Sequence, residues 1–131
     1  MERLHGYKNA LKESGIELNP NFIVEASIPE MKEKLENLFS SEEKPTAIFA
    51  ANDRVFIALG EFLKEKSMKF GEDLEIVVFD NIPFSQLLET PITFIIQPAS
   101  EMGRKAAELL YKQINKENST PEVFVFPSKI I

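Results

Sequence analysis

Pro45-Thr46-Ala47-Ile48-Phe49-Ala50-Ala51-Asn52-Asp53-Arg54-Val55-Phe56-Ile57-Ala58-Leu59 passes from one kind of periodicity to another without a linker. Residues 46–51 form a continuous apolar run, which suits a parallel strand covered on both faces. From Asp53 to about Lys66 the spacing becomes helical. The same alternation extends in both directions. Upstream, residues 3–14 read as an amphipathic helix with Leu4, Tyr7 and Leu11 on one face, ended by Gly15. Phe22-Ile23-Val24 reads as a short strand. Ser27 and Glu30 fit a capping box, with Pro29 in the first turn, for a helix using Met31, Leu35 and Leu38. Downstream, Leu74–Phe79 and Ile92–Ile96 are largely apolar strands, separated by a polar, proline-containing loop. A long helix is expected from about Ser100 to Ile114, and a closing strand at Val123–Phe126. Strand–helix–strand order with short connections predicts an α/β fold with a mainly parallel sheet flanked by helices.

Composition narrows the function. The chain has 131 residues, 44% of them hydrophobic, enough for one domain with a real core. It has no cysteine, so disulfides, thiol catalysis and thiolate metal sites are excluded. A single histidine, His5, cannot build a zinc site alone. The formal net charge of -6 argues against direct DNA binding, which rests on Lys and Arg neutralising phosphates. No apolar run approaches the length of a membrane span. No apolar stretch follows Met1-Glu2-Arg3-Leu4-His5, so a signal peptide is not expected, and a cytoplasmic location is.

Three polar residues occupy equivalent places. Asn52 follows one strand, Asp80 the next, and Gln97 the next again. Ligands of open parallel sheets bind beyond the carboxyl ends of the strands. An amide, a carboxylate and a second amide there form a rim suited to hydroxyl groups, because the carboxylate accepts and the amides both donate and accept. Each residue also has a plain structural use. Asn52 or Asp53 suits a helix cap. Asp80-Asn81-Ile82-Pro83 suits an Asx-type turn. Gln97 before Pro98 suits a helix entry. No histidine lies near a candidate nucleophile and no glycine-rich phosphate loop is present, so neither catalysis nor a cofactor is expected. The helix from Asp53 has an apolar arc of about 160° at roughly 100° per residue. A buried core helix explains it, and so does a subunit contact made by Val55, Phe56, Leu59 and Phe62.

Several segments resemble the LacI/GalR family of transcription regulators. Arg3-x-x-Gly6-Tyr7-x-x-Ala10-Leu11 is similar to the start of the second half of that family's sensor core. Pro45–Asp53 resembles its P-T-A-[IV]-x-[AV]-x-N-D motif. Val77-Val78-Phe79-Asp80-Asn81-Ile82-Pro83 resembles V-G-[FY]-D-[DN]-x-P, with Val78 in place of the glycine. Thr93 to Pro98 with Glu101-Met102-Gly103 resembles T-x-[IV]-x-Q-P-x-x-x-[ML]-G. The ending Val125–Ile131 is similar to the family's terminal strand.

The resemblance implies the C-terminal half of a type I periplasmic-binding-protein fold, whose two flavodoxin-like subdomains hold an effector between them. It implies that Arg3, Asn52, Asp80 and Gln97 face that effector, a sugar or another small polar metabolite. Ile28 falls where many members carry an aromatic residue over the ligand. Residues 1–96 and about 120–131 are expected to form one subdomain. Residues of about 97–119 are expected to cross and pack on a subdomain absent from this chain, leaving Met102, Ala106, Leu109 and Leu110 exposed or packed differently. DNA would be reached only through an N-terminal domain that is also absent, in a homodimer. The alternative with the same fold is a periplasmic solute-binding protein of a sugar transporter.

Overall fold

A computed structural model describes residues 2–80, 82, 90, 92–115 and 120–131. The elements run in the order α1 (Glu2–Glu13), a 3-10 turn at Pro20–Phe22, α2 (Ile28–Ser40), β1 (Ala47–Ala50), α3 (Asp53–Glu65), β2 (Glu75–Phe79), β3 (Thr93–Ile96), α4 (Ala99–Ile114) and β4 (Lys129–Ile130). The four strands form one sheet in the order β1-β2-β3-β4. The first three are parallel, with Ala50 opposite Val78 and Val78 opposite Phe94. β4 returns antiparallel to β3.

The helix ends follow the local chemistry. α1 stops because Gly15 turns left-handed at φ 69°. The Ile16 N–H then reaches the Leu11 carbonyl at 2.9 Å and the Gly15 N–H reaches the Lys12 carbonyl at 3.2 Å, the paired bonds of a Schellman ending. At the start of α2 the Glu30 carboxylate accepts from the Ser27 backbone N–H at 3.1 Å and from its hydroxyl at 2.6 Å. These bonds hold the Glu30 carboxyl below its ordinary pKa, the hydroxyl contributing most.

The core lies between one face of the sheet and the pair α2–α3. Met31, Leu35 and Leu38 from α2, Phe56, Leu59, Phe62 and Leu63 from α3, and Ala50, Ile76, Val78 and Phe94 from the strands are all buried in it, with Leu74 just before β2. The rings of Phe39 and Phe62 meet at 5.3 Å, tilted by 41°, which is a favoured aromatic geometry. Two exposed ion pairs, Lys32–Glu65 at 2.6 Å and Lys66–Glu36 at 2.7 Å, link the outer sides of α2 and α3. Water screens such exposed pairs and they add little, so apolar burial decides the packing.

That packing corrects the expected subunit contact. Phe56, Leu59 and Phe62 are 7%, 1% and 2% exposed inside the chain's own core, and of the four only Val55 is half-buried. The apolar arc of α3 is wide because the helix meets the sheet on one side and α2 on the other. Among the described residues, full burial along β2 is found on one face only. The alternation of β2 buries Ile76 and Val78 and leaves Val77 and Phe79 half-buried on the other side.

Two expected strands also shift. Phe22 closes a 3-10 turn, because the Asn19 side chain accepts from the Asn21 N–H at 2.9 Å and Pro20 fixes the next φ. Ile23 is extended but unpaired, so the outer edge of β1 has no partner strand among the described residues. The closing strand falls at Lys129–Ile130 instead of Val123–Phe126. Pro127 lacks the N–H a ladder needs, and β3 is only four residues long. Ile131 then exchanges both backbone bonds with Phe94, at 2.9 and 3.0 Å.

α4 buries none of its residues, and Met102, Leu110, Tyr111 and Ile114 are exposed. Phe124 approaches it through Lys105, whose ammonium lies 4.3 Å from the ring centroid.

The core and the cap set three expected outcomes. Leu59→Ala lowers unfolding stability by about 2–5 kcal/mol in denaturant titration. Ile57→Ala, on the exposed side of α3, changes it by less than about 0.5 kcal/mol. Because the folded pKa of Glu30 is depressed, its contribution is present above the ordinary carboxylate range and is lost as pH falls through the depressed value. Glu30→Gln therefore flattens the acid limb of the stability–pH curve, read by thermal melts across acidic buffers.

Candidate functional site

The parallel register brings the carboxyl ends of β1, β2 and β3 to one edge of the sheet. Asn52, Asp80 and Gln97 leave the strands there, as their spacing predicts. Their side chains play different parts.

The Asn52 Oδ1 accepts from the Val55 N–H at 3.0 Å, so this residue caps α3. Its amide NH2 is left to donate elsewhere. The cap and the site are thus compatible uses of one side chain. Asp53, the other candidate cap, accepts from the Arg54 N–H next to it.

Asp80 sits in an uncommon backbone conformation, φ 89°, which non-glycine residues seldom adopt. Such a conformation costs on the order of 1–3 kcal/mol and persists when its surroundings fix it. The Asp80 N–H donates to the Ile95 carbonyl at 2.9 Å, and its Oδ1 accepts from the Gln97 Nε2 at 2.6 Å. The other neighbours expected in the turn, Asn81 and Pro83, lie outside the described residues.

Arg3 reaches this edge from the first turn of α1. Its guanidinium donates to the Ala51 carbonyl, lies 4.0 Å from the Asp80 Oδ2, and stacks with Cζ 3.7 Å from the centroid of the Phe79 ring. Both partners of the ion pair are about one-third exposed, with side-chain values of 37% and 34%. The group is therefore reachable by a small solute.

The structure joins Arg3, Asp80 and Gln97 in one contact network and sets Asn52 beside them on the next strand end. It does not join Ile28, which is the first residue of α2 and 43% exposed. Two members of the network are absent from the sequence-derived set: the Ala51 carbonyl and the Phe79 ring. A signal for Phe79 exists, since strand alternation points it away from the core that takes Val78.

Two cavities lie elsewhere. One, about 590 Å³, sits between α1, α2 and the unpaired edge of β1. Leu4, Phe22, Met31, Leu35 and Ile48 line it, and it shares only Arg3 and Ala51 with the polar cluster. Its walls are mostly aliphatic and supply few groups that would orient a ligand. The other, about 710 Å³, lies between the 3-10 turn and the end of α2 and shares no residue with the cluster. The convergent polar groups at the strand ends make the better candidate. Among the described residues no group of three or more His, Cys, Asp or Glu side chains is placed to hold a metal ion, and no helix is long and apolar enough to cross a membrane.

Residues 1–131 match the family model of the periplasmic binding protein-like domain. Catabolite control protein A of Priestia megaterium is 33% identical over 131 residues, which cover 98% of this chain and 40% of that protein. A putative LacI transcriptional regulator from Bacillus cereus subsp. cytotoxis NVH 391-98 aligns with a TM-score of 0.84 at 27% identity, over 98% of this chain and 46% of the other. The transcriptional regulator CelR in its cellobiose complex aligns at 0.82 and 28% identity, over 99% of this chain and 40% of the other. The chain thus spans about two-fifths of the length of the curated relatives it matches. It belongs to the periplasmic binding protein-like family and corresponds to part of the effector-binding core of LacI-family transcription regulators.

Proposed function

We propose that this chain senses a small polar effector, a sugar or similar polyhydric metabolite, on behalf of a cytoplasmic DNA-binding regulator. The observation that carries this reading is the Arg3–Asp80–Gln97 network at the carboxyl ends of parallel strands. A hydroxyl taken out of water needs both a donor and an acceptor. Asp80 accepts, Arg3 and the Asn52 amide donate, and the Gln97 carbonyl oxygen accepts. A neighbour of closely similar fold was solved with cellobiose, which supports a sugar. The relatives described above are regulators, so the transport-receptor alternative has no comparable support.

DNA contact would lie outside this chain, whose net charge is -6. Effector binding would act as a coupling free energy, favouring one arrangement of the sensor and so biasing DNA affinity. Residues of about 97–119 would cross to a second subdomain, giving the exposed apolar residues of α4 a partner; residues 116–119 of that segment lie outside the described set. The intact regulator would be a homodimer.

The test is a thermal-shift screen of the full-length protein against cellobiose, ribose, other sugars and nucleosides. A ligand at about 100 times its Kd raises stability by about 2.7 kcal/mol, readily seen as a higher Tm. Asp80→Asn is expected to weaken the binding of any hit by at least about tenfold, about 1.4 kcal/mol, because a charge-assisted acceptor is lost. A panel without a hit, or a hit bound equally by Asp80→Asn, overturns this assignment.

A further inference from the structure

We propose that Phe79 is a positioning residue: its ring face fixes the plane of the Arg3 guanidinium at the strand ends. This role rests on the reading of the polar cluster as the effector site, but its geometry stands apart from it.

The helix that carries Arg3 cannot fix the side chain by itself. α1 has no buried residue, and Arg3 lies in its first turn. A long side chain on a loosely held helix samples many rotamers. Three contacts restrict this one. The Ala51 carbonyl takes one end of the guanidinium. The Asp80 carboxylate stands 4.0 Å from another nitrogen, too far for a direct hydrogen bond. The Phe79 ring, 3.7 Å from Cζ, covers the flat face. A carbonyl and a distant charge leave the plane free to rotate, whereas a stacked ring does not.

Phe79 is available for this because the core does not use it. Alternation along β2 buries Ile76 and Val78 and turns Phe79 to the opposite face. Among the described residues it belongs neither to the hydrophobic cluster nor to the half-buried apolar residues that pack against it. A half-buried aromatic ring at the end of a strand keeps apolar surface in water unless something covers it, and here the guanidinium does. Arginine favours this contact over lysine because its planar cation stacks on an aromatic face. With its plane fixed, the remaining N–H edges of Arg3 stay aimed at the space beside Asp80, which reduces the ordering cost of binding.

The test uses NMR of the chain and binding by the full-length protein. In the wild type the Arg3 Cδ protons are expected upfield of their ordinary position, from the ring current of Phe79. Phe79→Leu is expected to abolish that shift, and Phe79→Tyr to keep it, while the amide signals of β1, β2 and β3 stay dispersed in both. If Phe79→Leu does not fold, Phe79→Met gives the same comparison. For any sugar that raises the wild-type Tm, Phe79→Leu is expected to weaken binding by about threefold to tenfold and Phe79→Tyr to restore it. An Arg3 shift that is ordinary in the wild type, or unaltered by Phe79→Leu, overturns the positioning role. Equal sugar affinity in wild type and Phe79→Leu also overturns it while leaving the effector site standing. An Arg3 shift that responds as expected, with no sugar bound by any variant, supports the positioning role and removes the effector reading instead.

Discussion

Burial of α3 against the sheet is the constraint on which the rest depends. Two adjacent parallel strands cannot be joined by a tight turn, so the chain between β1 and β2 must cross over, and it does so as α3. The crossover holds only because Phe56, Leu59, Phe62 and Leu63 leave water together. Each such side chain contributes about 1.5–3 kcal/mol when fully buried, far more than the exposed ion pairs beside them. Once the crossover is fixed, the ends of β1 and β2 must lie at the same edge of the sheet, and Asn52 and Asp80 with them. The candidate site's place at that edge is thus a geometric consequence of an apolar helix face.

At that edge conformational freedom is given up for orientation. The left-handed backbone at Asp80 turns its carboxylate toward Gln97 and Arg3, and the Ile95 carbonyl holds the turn from the neighbouring strand. Asn52 is tied by its cap to α3, so its amide cannot swing away without releasing the Val55 N–H. That release would cost about 1 kcal/mol. Arg3 comes from a helix without a buried residue, and its contacts supply a polar link between α1 and the strand ends. Rigid donors and acceptors on strand ends and one long cation from a helix without a buried residue are a mixed set, in which Arg3 depends most on contacts outside its own element.

Much of this was legible from residue order. The apolar runs at 46–51 and 74–79 place β1 and β2, and Ser27 with Glu30 places the start of α2 to the residue. The three polar positions after the strands followed from counting alone. What escaped the sequence had competing local causes. Asn19-Pro20 favours a turn over the strand that Phe22-Ile23-Val24 suggests, and Pro127 moves the last pairing to Lys129–Ile130. The width of the apolar arc on α3 could not distinguish a second helix of the same chain from a second subunit, because both bury the same side chains. A cap and a ligand contact draw on different atoms of Asn52, which residue counting cannot separate. Phe79 was hidden because its partner, Arg3, sits on the first helix, far away in sequence, and no local pattern links the two.

The polar edge also constrains what it would accept on the proposed reading. Asp80 already has Gln97 on one oxygen and Arg3 near the other. An incoming group must replace or extend those contacts without stranding either charge, since an unpaired charge out of water is expensive. A simple anion would meet Arg3 favourably but would face the Asp80 carboxylate and a chain of net charge -6. A simple cation would pair with Asp80 but displace or repel the stacked guanidinium. A neutral molecule with adjacent hydroxyls avoids both penalties, because each hydroxyl can donate to Asp80 while accepting from Arg3 or Asn52. The charge balance of the cluster therefore favours a neutral polyhydric ligand independently of any relative's preference.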